Sequence, residues 1–184
     1  IQKLEARFSY PAEIEVHPDG RLFVADISNG LIRIVDRANK TVSSYDPSSG
    51  TSLFGLTYDA TGDKFYFTNR DDGKLFEFEE TSPGVFGALT ELTDLTSLIF
   101  RIEIDPNERA NSEPIFWIGC GSTNYLIMRY YNGAIWVDVP FGITPFPADV
   151  DSIYHAIPDA NTPGRVWLIL SQGSPEASEI GYIE

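Results

Sequence analysis

The chain has 184 residues, enough for one domain with a sizeable core, and its 42% hydrophobic and 13% aromatic content is that of a folded globular protein. A formal net charge of -14 with no basic run argues against nucleic acid or an anionic membrane as partner, since both reward clustered Lys and Arg. The single cysteine, Cys120, excludes an intrachain disulfide and with it a disulfide-stapled secreted domain. A cytoplasmic protein or a part of a larger assembly is the expectation. No apolar run approaches the roughly eighteen residues of a membrane-spanning helix, and no signal peptide is visible.

A strand over Lys3 to Phe8 precedes the first unit, Pro11 to Asp36. In that unit Ile14 and Val16 alternate with Glu13 and Glu15, the period of two of a strand with Ile14 and Val16 on its buried face. His17-Pro18-Asp19-Gly20 reads as a tight turn, Leu22 to Val24 as a central strand, Asp26 to Gly30 as a second turn, and Leu31 to Val35 as a third strand. Such a β-meander cannot bury both faces alone and needs neighbours of its own kind.

The second unit, Leu53 to Phe78, repeats the first. Gly62 follows Gly20 by 42 residues and Gly73 follows Gly30 by 43. A third unit runs from Ile102 through Asp105-Pro106-Asn107, an insertion to Pro114, and strands at Ile115–Ile118 and Tyr125–Tyr131. A fourth contains Ile153–Ile157, Val166–Leu170 and Ile180–Ile183. Segments at Lys40–Tyr45, Ala88–Leu95 and Ala134–Val139 are expected as outer strands; Leu89, Leu92 and Leu95 also fit one short helix, and the repeat favours the strand. The predicted fold is all-β, a small β-propeller of about four blades of four antiparallel strands, in one domain over residues 1–184. The blades span about 9–46, 52–96, 99–140 and 150–184, and residues 2–8 close the last one beside Tyr182, leaving no open edge.

Pro11, Asp19-Gly20, Leu22-Phe23-Val24-Ala25-Asp26, Asn29 and Ile32 resemble the NHL repeat, whose blades carry a Pro, an Asp-Gly hairpin, a strand ending in Val-Ala-Asp and a later Asn. In the second unit Thr68-Asn69 replaces Ala25-Asp26. The same first unit is similar to the start of the gluconolactonase and regucalcin family, propeller enzymes that hold a divalent metal in the central channel. Asp26-Ile27 matches that family's pattern, whereas Ser9-Tyr10-Pro11 stands where Glu-Gly-Pro opens it. The first metal ligand thus carries over to Ser9, a weaker ligand than a carboxylate.

One propeller face would gather Glu13, Asp26, Asn29, Asn69, Arg70, Asp71, Asp72, Arg101, Asn124, Asp149 and Asp151. No cofactor is required by the sequence, but Asp26, Asn69, Asp149 and Asp151 are the candidate ligands for Ca²⁺ or another divalent cation. The competing reading of Asp26 and Asn69 is that they bond turn backbone. Trp136, Phe141 and Phe146 among three prolines form a candidate protein or glycan contact, with Arg70, Arg101 and Asn124 completing the set; the alternative is that the aromatics fill the core. His17 and His155 lack a zinc-type cluster, Cys120 lacks a paired base, and no catalytic triad or phosphate loop is present, so no catalytic residue is assigned. The reading is a non-enzymatic interaction module or self-assembling structural subunit, with a metal-dependent lactonase or esterase and a carbohydrate-binding propeller as its rivals.

Overall fold

A computed structural model describes residues 7–48, 52–94, 99–120, 125–142, 150–172 and 178–183. The strands are β1 (Pro11–Val16), β2 (Leu22–Asp26), β3 (Leu31–Asp36), β4 (Thr41–Tyr45), β5 (Leu53–Asp59), β6 (Lys64–Asn69), β7 (Lys74–Phe78), β8 (Glu80–Ser82), β9 (Val85–Phe86), β10 (Thr90–Asp94), β11 (Ile99–Ala110), β12 (Glu113–Cys120), β13 (Tyr125–Tyr131), β14 (Trp136–Gly142), β15 (Val150–Pro158), β16 (Val166–Gln172) and β17 (Ser178–Ile183). They form four antiparallel sheets in sequence order: β1-β2-β3-β4, β5-β6-β7-β10, β11-β12-β13-β14 and β15-β16-β17. No helix among the described residues is long and apolar enough to cross a membrane.

The turn glycines explain half of the repeat. Gly30 and Gly73 both take the left-handed conformation, at φ 63° and 67°, so this landmark has one backbone role in both units. The other landmark does not: Gly20 is left-handed at φ 88°, but in the second unit Asp63 takes that role at φ 54°. Thr90–Asp94 is a strand on β7, as the repeat demands, and the small hairpin β8-β9 is an addition that the sequence pattern did not disclose. The expected insertion before Pro114 is instead a continuation of β11 and β12, with a register shift between Ile104 and Arg109 that accommodates Pro106.

Each sheet packs one face on the next. Phe23, Ala25, Ile32 and Ile34 of sheet 1 meet Leu56, Phe65, Phe67 and Phe78 of sheet 2. The alternate residues Tyr66 and Leu75 meet Ile102, Phe116 and Ile118 of sheet 3. On sheet 3's other side, Trp117 and Leu126 meet Ile153, Ala156, Leu168 and Leu170 of sheet 4. The first interface is aromatic, with ring centroids of Phe23 and Phe65 4.2 Å apart and of Phe65 and Phe78 5.1 Å apart. Burying each such ring stabilises the fold by about 1.5–3 kcal/mol.

Sheet 1 departs from its pattern in one respect. Ile14 and Val16 are 58% and 60% exposed, and it is Glu13 and Glu15 that turn inward toward sheets 2 and 3. The reason is the stacking order: the side carrying Phe23 and Ala25 has a neighbour, whereas no described sheet covers the other side. Sheet 4 mirrors this, with Ile157 and Trp167, partners across β15 and β16, 39% and 37% exposed on the side away from sheet 3. Extensive packing among the described residues runs only between consecutive sheets. The expected closure by residues 2–8 falls largely outside the described residues, and Arg7 and Phe8 are not part of a strand.

Candidate functional site

The turn end of sheet 1 is a polar clasp. Asp26, fully buried, accepts hydrogen bonds from the Ser9 backbone N–H at 2.6 Å and from Asn29 Nδ2 at 2.7 Å, with Arg33 Nε 3.6 Å away. Ser9 therefore meets Asp26 through its backbone, and Asp26 spends both carboxylate oxygens holding the entering chain against the turn. In sheet 2, Asn69 takes the matching place: its Nδ2 donates to Asp72 at 3.1 Å, and its Oδ1 accepts from the Asp72 N–H at 3.4 Å. Asp71 bonds Ser52 and, at 2.9 Å, Arg70, which lies over the Phe54 ring. The Ser52 hydroxyl and the Arg70 guanidinium hold the Asp71 carboxyl below its ordinary range.

Deeper, the first strands of sheets 1, 3 and 4 bring five ionisable groups together. Arg101 Nη1 on β11 pairs with Glu13 on β1, and its Nη2 donates to the Ala12 carbonyl at 3.1 Å, tying sheet 1 to sheet 3 across β5. His155 Nε2 on β15 lies 2.7 Å from Glu103 Oε1 on β11. Among the described residues Glu15 has no such cation. Burial, reinforced by the negative charges of Glu103 and Glu13, pushes its carboxyl up to about 8. Burial also raises Glu13, although Arg101 and His155 oppose it.

Glu15 and Glu103 line a cleft of about 390 Å³ with Tyr58, Asp59, Asp105 and Arg109. Arg109 closes one wall, donating from Nη1 and Nη2 to the two Asp59 oxygens at 2.8 Å each. Asp105 accepts from Trp117 Nε1 at 3.0 Å and from the Asn107 N–H at 2.9 Å. Glu15 is thus the carboxyl in this cleft held mainly in its neutral form near neutral pH, able to donate a proton, while its neighbours are paired. Neither Glu15 nor Glu103 was marked by sequence reasoning, because Glu alternating with Ile and Val reads as the wet side of a strand.

Among the described residues, the predicted site residues do not converge. Asp26 and Asn69 serve their own turns, Arg70 and Arg101 are engaged with Asp71 and Glu13, and Asn124, Asp149 and Phe146 lie outside the described residues, as do the side chains of Asp151 and Phe141. Trp136 is half-buried beside Phe116 and Tyr131, with Arg129 5.4 Å from its ring centre, a core-filling position. Among the described residues no three His, Cys, Asp or Glu side chains come together to hold a metal, so a divalent cation finds no built site in that set. Cys120 is buried, and burial pushes its thiol up to about 12, away from nucleophilic chemistry.

Superposition on solved structures decides the architecture. Over 98% of this chain and 57% of the other, it matches virginiamycin B lyase from Staphylococcus aureus, in a catalytically inactive His→Ala form with quinupristin, at a TM-score of 0.64 and 15% identity. The fold is a β-propeller. A luciferin-regenerating enzyme matches at 0.67 and 13% identity, over 92% of this chain and 59% of that one. A protein assigned as a 6-phosphogluconolactonase from Bacteroides uniformis matches at 0.64 and 9% identity, over 95% and 56%. In sequence, Teneurin-3 from Danio rerio and from Mus musculus are each 25% identical over 66% of this chain, which spans 5% of their length. No protein-family model matches the chain. The chain spans a little over half the length of the solved propellers, and likeness at these identities is likeness of fold.

Proposed function

We propose that the chain is a non-enzymatic β-propeller interaction module whose contact surface is the outer face of sheet 1. The observation that carries this reading is the exposure of Ile14 and Val16, at 58% and 60%, on a strand that alternates strictly between apolar and acidic residues. Val42, 40% exposed, shares their side of the sheet. A contiguous apolar face of this kind marks a contact surface in a protein with a net charge of -14. The test is binding of an environment-sensitive apolar dye to the folded protein. Enhanced emission that disappears in the Ile14→Asp/Val16→Asp double variant, with circular dichroism unchanged, is expected; emission absent in the parent protein, or retained in the variant, removes the reading.

A second reading is a propeller hydrolase acting on lactones or esters. What favours it is the cleft in which the neutral Glu15 lies beside the Glu103–His155 pair, a proton donor next to a paired imidazole. Its test is a lactone and ester hydrolysis screen, with and without added divalent cations. Turnover lost in Glu15→Gln and kept in Ile14→Asp would replace the first reading with this one.

A further inference from the structure

Two more clefts open where sheets 2 and 3 pack, away from Glu15 and from the outer face of sheet 1. They meet at one ion pair, Lys64 Nζ on β6 with the Glu77 carboxylate on β7 at 3.2 and 3.4 Å. The first, of about 180 Å³, is lined by that pair and by Leu92, Glu113, Tyr131 and Trp136. Glu113 opens β12, and Tyr131 and Trp136 are partners across β13 and β14, so sheet 3 supplies this wall. The second, of about 290 Å³, continues past the pair to Glu79 and Thr90. Together they fall within the roughly 300–1,000 Å³ of small-molecule sites, with the Lys64–Glu77 pair at the waist.

The lining mixes donors and acceptors. Lys64 donates, Glu77, Glu79 and Glu113 accept, and the Thr90 and Tyr131 hydroxyls do either. An anion would face three carboxylates on a chain of net charge -14, and a cation would have to displace Lys64 from Glu77. A neutral polyol uses both kinds of group at once. Trp136 beside Tyr131, ring centroids 5.5 Å apart, adds an apolar surface for the C–H side of a sugar ring. Phe116 and the Arg129 guanidinium, 5.4 Å from the Trp136 centroid, fix that ring before any ligand arrives. An independent sign lies beneath. Tyr66 shares a face of β6 with Lys64 and stands opposite Glu77; it is fully buried, and its hydroxyl has no hydrogen-bond partner among the described residues. The charges of Glu77 and Glu113 both act on that hydroxyl, which places it by the polar lining. A buried hydroxyl left unpaired beside a polar cleft is a group that a filled site can complete. From this juxtaposition we propose that the seam between sheets 2 and 3 binds a neutral disaccharide unit, one ring against Trp136 and Tyr131 and the next beyond the Lys64–Glu77 pair.

The experiment titrates the chain with maltose, cellobiose, lactose and N,N′-diacetylchitobiose, followed by saturation-transfer difference NMR and by tryptophan fluorescence. At least one of the four should bind with a Kd of about 1 mM or tighter and change the fluorescence. Lys64→Met and Glu113→Gln, both at partly exposed positions, should each weaken binding about 10-fold, the worth of one charge-assisted hydrogen bond. Trp136→Phe should abolish the fluorescence change while Trp117 and Trp167 remain. The Ile14→Asp/Val16→Asp variant and Glu15→Gln should bind the sugar as the parent does, and Lys64→Met should keep the apolar dye, so this site and the sheet 1 face stand or fall separately. No binding of any of the four sugars up to about 10 mM would overturn the proposal. So would binding indifferent to both Lys64→Met and Glu113→Gln, or binding lost in Glu15→Gln.

Discussion

Glu15→Gln isolates the most unusual charge in the molecule. In the unfolded chain this carboxyl titrates near 4.5; in the folded protein, burial and the charges of Glu103 and Glu13 push it up to about 8. Between those values the native state holds a proton that the unfolded state releases, so stability falls as pH rises, by about 1.4 kcal/mol per pH unit. Across the window from about pH 5 to pH 8 this amounts to roughly 3–4 kcal/mol, a large fraction of the 5–15 kcal/mol typical of a domain. Asp19, held at about 2 by its bonds to the Arg21 N–H, His17 and the Arg21 side chain despite the opposing effect of desolvation, contributes with the opposite sign but only in acid, outside this window. Glutamine keeps the shape and a hydrogen-bonding group but cannot ionise. Urea unfolding followed by tryptophan fluorescence at a series of pH values should show a steep loss of stability in the parent chain and a shallower one in Glu15→Gln, the curves meeting in acid and diverging between about pH 5 and pH 8. Parallel curves for the two proteins would refute the burial argument.

Three further substitutions and one reactivity test probe the framework. Asp26→Ala removes a buried carboxylate that accepts from the Ser9 N–H and Asn29 and lies 3.6 Å from Arg33 Nε, and should destabilise by about 1–3 kcal/mol in denaturant unfolding, because both charge-assisted bonds and the ion pair are lost at once. Arg109→Ala breaks the two-pronged bond that joins sheet 3 to Asp59 of sheet 2; a loss of about 1–3 kcal/mol is expected with dye binding at sheet 1 unchanged. Gly119→Ala places a methyl 2.6 Å from the Ile153 carbonyl oxygen, so sheets 3 and 4 must shift apart, at about 1–3 kcal/mol, with faster amide exchange in β15 and β16. Cys120 should resist thiol reagents in the native protein at neutral pH and react once urea unfolds the chain.

The repeat was legible because backbone chemistry is local. Gly30 and Gly73 mark equivalent turns, and the alternations Phe23/Ala25 and Phe65/Phe67 assign the faces that pack between sheets 1 and 2. Asp26 and Asn69 were visible as polar residues at turns, and each bonds within its own turn, Asn69 through the Asp72 N–H and side chain. What the sequence concealed depends on distant parts of the chain. Glu15 is distinctive because β11 delivers Glu103 close by, and nothing within ten residues of Glu15 foretells that. The exposure of Ile14 and Val16 is similarly non-local: periodicity says that a face is apolar, and only the stacking order says whether a sheet covers it.

The sharpest test of a propeller arc that works through the outer face of sheet 1 is carbene photolabelling of the folded chain with and without a saturating amount of the apolar dye, read residue by residue by mass spectrometry. The account predicts that Ile14, Val16 and Val42 are labelled strongly in the free chain and protected by the dye, while Tyr58 and Glu103 in the cleft keep their labelling. Unlabelled Ile14 and Val16 in the free chain, or protection appearing in the cleft instead, would contradict it.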